Sequence, residues 1–477
     1  MSHDVIVIGA GANGLVAAHL LAKAGRQVLV LEQRDAEEER LETGAVLPQV
    51  EQDLGLAGVL VTERPDPWLT APNGEGGLLE LWQDPERTAD SLSLISEADA
   101  RAWPRFAGRM HALAGVLADL AALPAPDIAT RNPAELFALG KLGLRVRGLG
   151  RETIIDLLRV MPMPVADLLD EWFESDVLKA ALAAGGVMHL CQGPRSGGTS
   201  FVMLHHHVGS PPGVFRPPLT DLRLRLLSRP GVEIRRGARV ARISVRAGRA
   251  RSVVLDGGEE LPARAIVSNA DPRATLLSLL EPGWLPPETS LAVRNIRCRG
   301  VAALVTLHLT GEAPFRDAFI GPSIEFLERA YDDAKHGRIS AAPWIEARAW
   351  DHRIEAHVQY VPAKPEEGWN EEARRRLGKL VVEGLSRRAP GLAGMVRAAE
   401  VWAPADFERQ FGLTEGQAYH AELGLDQILF MRPVAGWSRH RTPIVGLYLC
   451  GAGTHPGGAL AGASGRLAAR AILEDES

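Results

Sequence analysis

The chain has 477 residues, too many for one hydrophobic core, so two or more domains are expected. Hydrophobic residues at 46% and charged residues at 23% are ordinary for a globular protein, and a net charge of -6 gives no reason to expect nucleic acid. The three cysteines, Cys191, Cys298 and Cys450, form no Cys-x-x-Cys pair; this argues against a disulfide framework or zinc site and fits a reducing cytoplasm.

The chain opens with Asp4-Val-Ile-Val-Ile8, a β-branched run suited to a strand buried on both faces. No basic region precedes it, and no uncharged apolar run reaches the roughly 18 residues of a membrane span, so neither a signal peptide nor a transmembrane helix is expected. Gly9-Ala-Gly11-Ala-Asn13-Gly14 is a tight turn, Leu15 to Ala24 a helix stopped by Gly25, and Gln27 to Leu31 a second strand closed by Glu32. Residues 97–185 carry Ala, Leu, Arg and Asp at helical spacing, with Glu152 to Leu169 and Asp170 to Ala184 reading as two amphipathic helices. From Gly231 the pattern alternates: strands are expected at Val232 to Ile234, Val240 to Val245, Ser252 to Leu255 and Ala265 to Ser268, with Asp256-Gly257-Gly258 as a hairpin signal. Further strands fall near Val301 to Leu309 and Ile354 to Val361, and a helix at Asn370 to Arg388. The chain ends with strand Gly446 to Cys450, a glycine-rich stretch to Gly465, and a helix to about Leu473.

Two glycine clusters carry chemistry. The first is a G-x-G-x-x-G that follows a strand, opens a helix and has an acid at the end of the next strand, which is the context a dinucleotide requires. Gly9 makes the turn, Gly11 lets the backbone approach a pyrophosphate, Gly14 lets helix and strand pack closely, and Glu32 accepts from the adenosine ribose. The second is Gly451-Ala-Gly453-Thr454-His-Pro-Gly-Gly458, followed by Leu460-Ala-Gly462-Ala463-Ser-Gly465. Small residues there let backbone approach a flat ring, and a helix N-terminus aimed at a flavin stabilises the anion formed on reduction. A small-residue helix interface is the bland alternative.

Several other groups invite weighing. His205-His206-His207 cannot converge on one ion if they lie on a strand, so packing or a pocket wall is expected and no metal site. His420, Asp426 and Gln427 either line a substrate pocket or hydrogen-bond the loop before the last strand. Residues 136–151 interleave Lys141, Arg145, Arg147 and Arg151 with Phe137, Leu139, Leu142 and Leu144, which suits a solvent-facing helix and leaves a peripheral membrane contact open. No Ser-His-Asp or Cys-His set stands out, so the catalytic residues are unknown; hydride transfer to a flavin demands none, because the cofactor carries the chemistry.

The two ends, with Val240-Ala-Arg-Ile243 and Ser268-Asn269-Ala-Asp-Pro272 between them, resemble the phytoene desaturase-like FAD-dependent oxidoreductases. Supporting segments are Asp167 to Ser175, Leu204-His-His206, His420 to Gln427 and Leu447 to Gly458. The resemblance implies an α/β fold: a glutathione-reductase-like (Rossmann-type) FAD domain from residues 1–75, 195–272 and 430–477, with a mixed α+β substrate domain and helical insertion from 76–194 and 273–429. It implies FAD as cofactor and hydride removal from an apolar substrate, isoprenoid or carotenoid-like. It extends cofactor contacts to Asn13, Arg40, Val240, Asn269, Thr454, Gly462 and Ala463. A redox-neutral flavin isomerase, a non-catalytic partner or ligand-binding protein and a homodimer stay open. Two departures stand out. Glu38-Glu39 replaces the glycine pair that precedes an arginine in the family (here Arg40), and Arg216-Pro217-Pro218 replaces a glycine-rich segment.

Overall fold

The computed structural model describes residues 3–35, 41–74, 76–127, 130–148 and 150–476. Glu38, Glu39 and Arg40 lie outside the described residues.

The first buried run forms strand His3–Ile8, flanked in parallel by Val28–Leu31 and Glu260–Ser268. Glu233–Arg235 extends the parallel sheet at one edge, and Leu447–Leu449 joins Glu260–Ser268 in parallel. The N-terminal half of Glu260–Ser268 turns away to pair antiparallel with Arg249–Leu255, which pairs with Val240–Arg246. Seven strands from three separated stretches thus share one sheet. The register aligns Ile8 with Leu31, Ile8 with Ser268, and Ser268 with Leu449. Four parallel strands therefore end together, and ligands of open α/β sheets bind at that edge.

Helix Ala12–Lys23 runs back from the first strand and packs on the terminal helix Ala463–Glu476. The contact is close: a Cβ on Gly465 would lie 1.9 Å from the carbonyl oxygen of Asn13.

The region read as helical contains Glu97–Ala121, Pro133–Gly148, Arg151–Val160, Val165–Asp170, Asp176–Val187 and Thr199–His207. The two long helices expected over 152–184 are three shorter ones. Met161-Pro162-Met163-Pro164 breaks the first, because proline lacks the N–H a helix needs and disfavours helical backbone before it. Ser175 then caps a new helix by accepting from the Leu178 N–H. His205 to His207, expected on a strand, form the last turn of a helix instead. On helix Pro133–Gly148 the Phe137 and Leu144 side chains are exposed.

Residues 302–402 build a second, wholly antiparallel sheet in the order Asp317–Ile320, Ile345–Trp350, Arg353–Gln359, Ala302–Leu309, Val396–Trp402. Its apolar face (Val305, Leu307, Ile345, Ile354, Ala356) packs on Leu377, Val381 and Leu385 of helix Glu371–Ser386. No helix among the described residues is long and apolar enough to cross a membrane.

Candidate cofactor and substrate site

Gly9, Glu32, Asn269 and Gly451 each follow one of the parallel strands, directly or after one residue. Because those strands end in register, residues far apart in sequence meet on one edge. Gly9 has φ +93°, a region that favours glycine. Gly11 is the N-cap of helix Ala12–Lys23; no side chain caps that end, and no acid sits in its first turn. Such an end offers backbone N–H groups and a positive dipole to an anion. A Cβ on Gly14 would lie 2.3 Å from the Gly9 carbonyl oxygen, so the third glycine serves packing.

Glu32 is buried, and its carboxylate accepts from the Ala10 N–H at 2.9 Å and from the Arg34 N–H and Nε at 3.1 Å. Burial works to raise its pKa, but the Ala10 N–H and the Arg34 charge outweigh it and hold the group below the usual carboxylate range. Val240 is buried two residues beyond Ala238, whose N–H donates to the Glu32 carbonyl at 2.9 Å. Asn269 donates its N–H to the Ile8 carbonyl, and its amide lies over Gly9 and Gly11.

The C-terminal cluster closes the same edge. A Cβ on Gly451 would lie 2.7 Å from His420 Nδ1 and 2.8 Å from the Asn269 carbonyl. Gly453 packs against Pro272, and the buried Thr454 hydroxyl donates to the Gly451 carbonyl at 2.8 Å. Gly462, at φ +77°, packs on Val16, Val50 and Leu222, and Ala463 begins the terminal helix. Asn13 Oδ1 accepts from the Gly465 N–H at 3.3 Å, linking the two glycine clusters. Gly9, Gly11, Asn13, Gly14, Glu32, Asn269, Gly451 and Gly453 thus lie near one another, and Arg40 lies outside the described residues.

The remaining expectations sort by geometry. His420 reaches the site, and its Nδ1 has no hydrogen-bond partner among the described residues. Burial lowers its pKa against the pull of Asp271. Asp426 pairs with Arg297 toward the surface, and Gln427 Nε2 donates to the Pro433 carbonyl, holding the loop. The three histidines are struts: His205 Nε2, His206 Nδ1 and His207 Nδ1 lie within 2.7 Å of the carbonyls of Gly458, Gly185 and Val214. Their rings are thereby committed to packing.

A cavity of about 500 Å³ is bounded by Thr43, Trp68, Met188 and Pro217 on one side and the antiparallel sheet on the other. Strand alternation puts Glu346, Arg348, Trp350, Arg353, Glu355 and His357 on the cavity face. Arg216 grips Glu346 with Nε and Nη2 at 2.9–3.1 Å, Arg348 reaches Asp317 at 3.3 Å, and Arg353 reaches Glu355 at 2.5 Å. The sheet thus gives the cavity one charged wall, while Leu41, Trp68, Leu69, Met188 and Val214 make the rest of its lining largely apolar.

His189 also lines the cavity, and sequence reasoning missed it. Its φ is +58°, unusual for a histidine. Two buried glutamines hold it there: its N–H donates to Gln359 Oε1 at 3.1 Å, and its carbonyl accepts from Gln417 Nε2 at 2.9 Å. Burial pushes its pKa well below the ordinary value, so it is a neutral base at neutral pH. Its ring stands 5.1 Å from that of His357 and 4.9 Å from that of Tyr419.

Comparison with known proteins fits this geometry. Residues 7–36 match the family described as NAD(P)-binding Rossmann-like domain, and residues 194–390 match Flavin containing amine oxidoreductase. Rat pyridine nucleotide-disulfide oxidoreductase domain-containing protein 2 is 31% identical, with 99% of this chain and 94% of the relative covered. The chain belongs to the phytoene desaturase- and amine oxidase-like FAD oxidoreductases. Within that family, hydroxyneurosporene desaturase of Cereibacter sphaeroides is 27% identical over 99% of this chain and 97% of its own. Putrescine oxidase shares the fold of this family member, with a TM-score of 0.60 at 14% identity over the full length of both chains. The family implies FAD, and it combines a Rossmann-like nucleotide-binding domain with a substrate domain built on an antiparallel sheet.

Proposed function

We propose that this chain is an FAD-dependent oxidoreductase that removes a hydride from a C–H bond of a substrate held in the cavity beside the antiparallel sheet. The observation that carries the reading is the convergence of Gly9, Gly11, Glu32, Asn269 and Gly451 at the ends of four parallel strands. An uncapped helix end, a buried ribose-type carboxylate and close-approach glycines are a donor and acceptor set that suits a flavin dinucleotide.

The N–H groups at the start of helix Ala12–Lys23 would hold the diphosphate, and Glu32 the adenosine ribose. FAD supplies the two-electron acceptor when bound. The protein's own part is binding and orientation. His189, neutral and wedged at the cavity wall, can accept a hydrogen bond from a substrate hydroxyl or amine and so orient it. His357, also held neutral by burial, stands beside it. The ion-paired wall suits polar groups of a substrate, and the facing Leu41, Trp68, Leu69, Met188 and Val214 suit its hydrocarbon part.

The test is anaerobic. The FAD-loaded protein is titrated with polar alcohols and amines and, in detergent, with a polyene. Bleaching of the flavin by a polar C–H donor supports the proposal, and a flavin that no donor reduces overturns it.

A further inference from the structure

Arg223 sits in helix Leu222–Ser228 with its side chain 7% exposed. Its Nε donates to the carbonyl of Ala10, inside the first glycine turn, at 3.2 Å. The same Nε lies 3.6 Å from a carboxylate oxygen of Glu42. Glu42 comes from the short strand Glu42–Thr43, which pairs with Leu219–Thr220 just ahead of that helix. Burial raises the Glu42 pKa, opposed by Arg223 and Arg34, so both arginines act on this carboxylate. Arg34 in turn holds Glu32. Among the described residues, Arg34, Arg223, Glu32 and Glu42 therefore surround the turn where an uncapped helix end would face a dinucleotide.

We infer that Arg223 is a diphosphate-binding residue of this chain, held in place by Glu42, which competes with the diphosphate for its charge. The reasoning is electrostatic. A guanidinium bonded to the Ala10 carbonyl is fixed one residue from the N-cap glycine, and Arg presents several donors in a planar fork suited to phosphate oxygens. A nearby carboxylate repels the same phosphates and draws off part of the arginine's charge. Glu42 thus weakens the nucleotide site, and Arg223 is what keeps it favourable. The inference rests on the proposal that the chain binds FAD.

The experiment is FAD titration of flavin-free protein, followed by quenching of flavin fluorescence, at two ionic strengths. Arg223→Gln should weaken FAD at least about tenfold at low salt, with a shallower salt dependence than wild type, as expected when a phosphate contact is lost. Arg223→Lys should fall between the two. Glu42→Gln should tighten FAD several-fold at low salt, with the gain shrinking at high salt. The two opposite directions guard against a folding artefact, since a destabilised variant cannot bind more tightly for that reason, and thermal melts monitor the fold. Wild-type binding with Arg223→Gln within twofold of it overturns this inference alone, as does an unchanged or weaker Glu42→Gln. A wild-type chain that takes up no FAD overturns the functional reading and this inference together.

Discussion

Single residues set the chemistry of the edge where the parallel strands end. Glu32 holds its charge there because the Ala10 N–H and Arg34 outweigh burial. A carboxylate poised for ribose hydroxyls contributes about 1.5 to 3 kcal/mol through charge-assisted bonds. Glu32→Ala should therefore weaken FAD by roughly ten- to a hundredfold. FMN, which lacks the adenosine ribose, should lose much less, and equal losses in parallel titrations would remove the carboxylate from the ribose site. His189 offers a different test. Its positive φ is tolerated by Asn but strained for a β-branched residue. His189→Val should cost about 1 to 2 kcal/mol more than His189→Asn in urea unfolding. The glycine turn and Glu32 were legible in sequence because each follows a strand that the β-branched runs mark. His189 was not, because what makes it special is its clamping by Gln359 and Gln417, some 170 and 228 positions away along the chain.

Elements show where periodicity informs and where it fails. The strands at the two chain ends were readable because both faces are buried, which leaves continuous apolar runs. Ile345–Trp350 and Asp317–Ile320 went unread: the first alternates apolar with Glu346, Arg348 and Trp350, and that charged face is explained only by partners such as Arg216 and Asp317. The helix breaks after Val160 were marked by Pro162 and Pro164, and the apolar spacing across them hid the signal. The close crossing of helices Ala12–Lys23 and Ala463–Glu476 yields its own prediction. Gly465→Ala would drive a Cβ into the Asn13 carbonyl, so the helices must part. The expected loss is about 1 to 3 kcal/mol, read as a lower melting temperature. An unchanged melt would mean that the two helices have room to separate freely.

At the scale of the whole molecule, buried neutral histidines tie the layers together. Burial holds His205, His207 and His455 at about 4, and His206 and His440 at about 3. In the unfolded chain each titrates near 6.5. The unfolded state therefore binds protons below about pH 6.5 that the native state refuses, so stability is intact above that value and falls as the pH drops toward 4. By pH 5 each such group withdraws about 2 kcal/mol. The urea midpoint should fall steeply between pH 7 and pH 5, and a flat profile would mean that these rings gain protons without unfolding.

A flavin dinucleotide bound where four strand ends meet would unite these features. The most direct measurement is the flavin content of the purified protein: its visible absorption, then chromatography of the cofactor released by denaturation, with and without prior incubation with FAD. The prediction is one FAD per chain, retained through gel filtration, and lost in Gly11→Val while the far-ultraviolet circular dichroism is kept. A folded wild-type chain that holds no flavin even after incubation would contradict it.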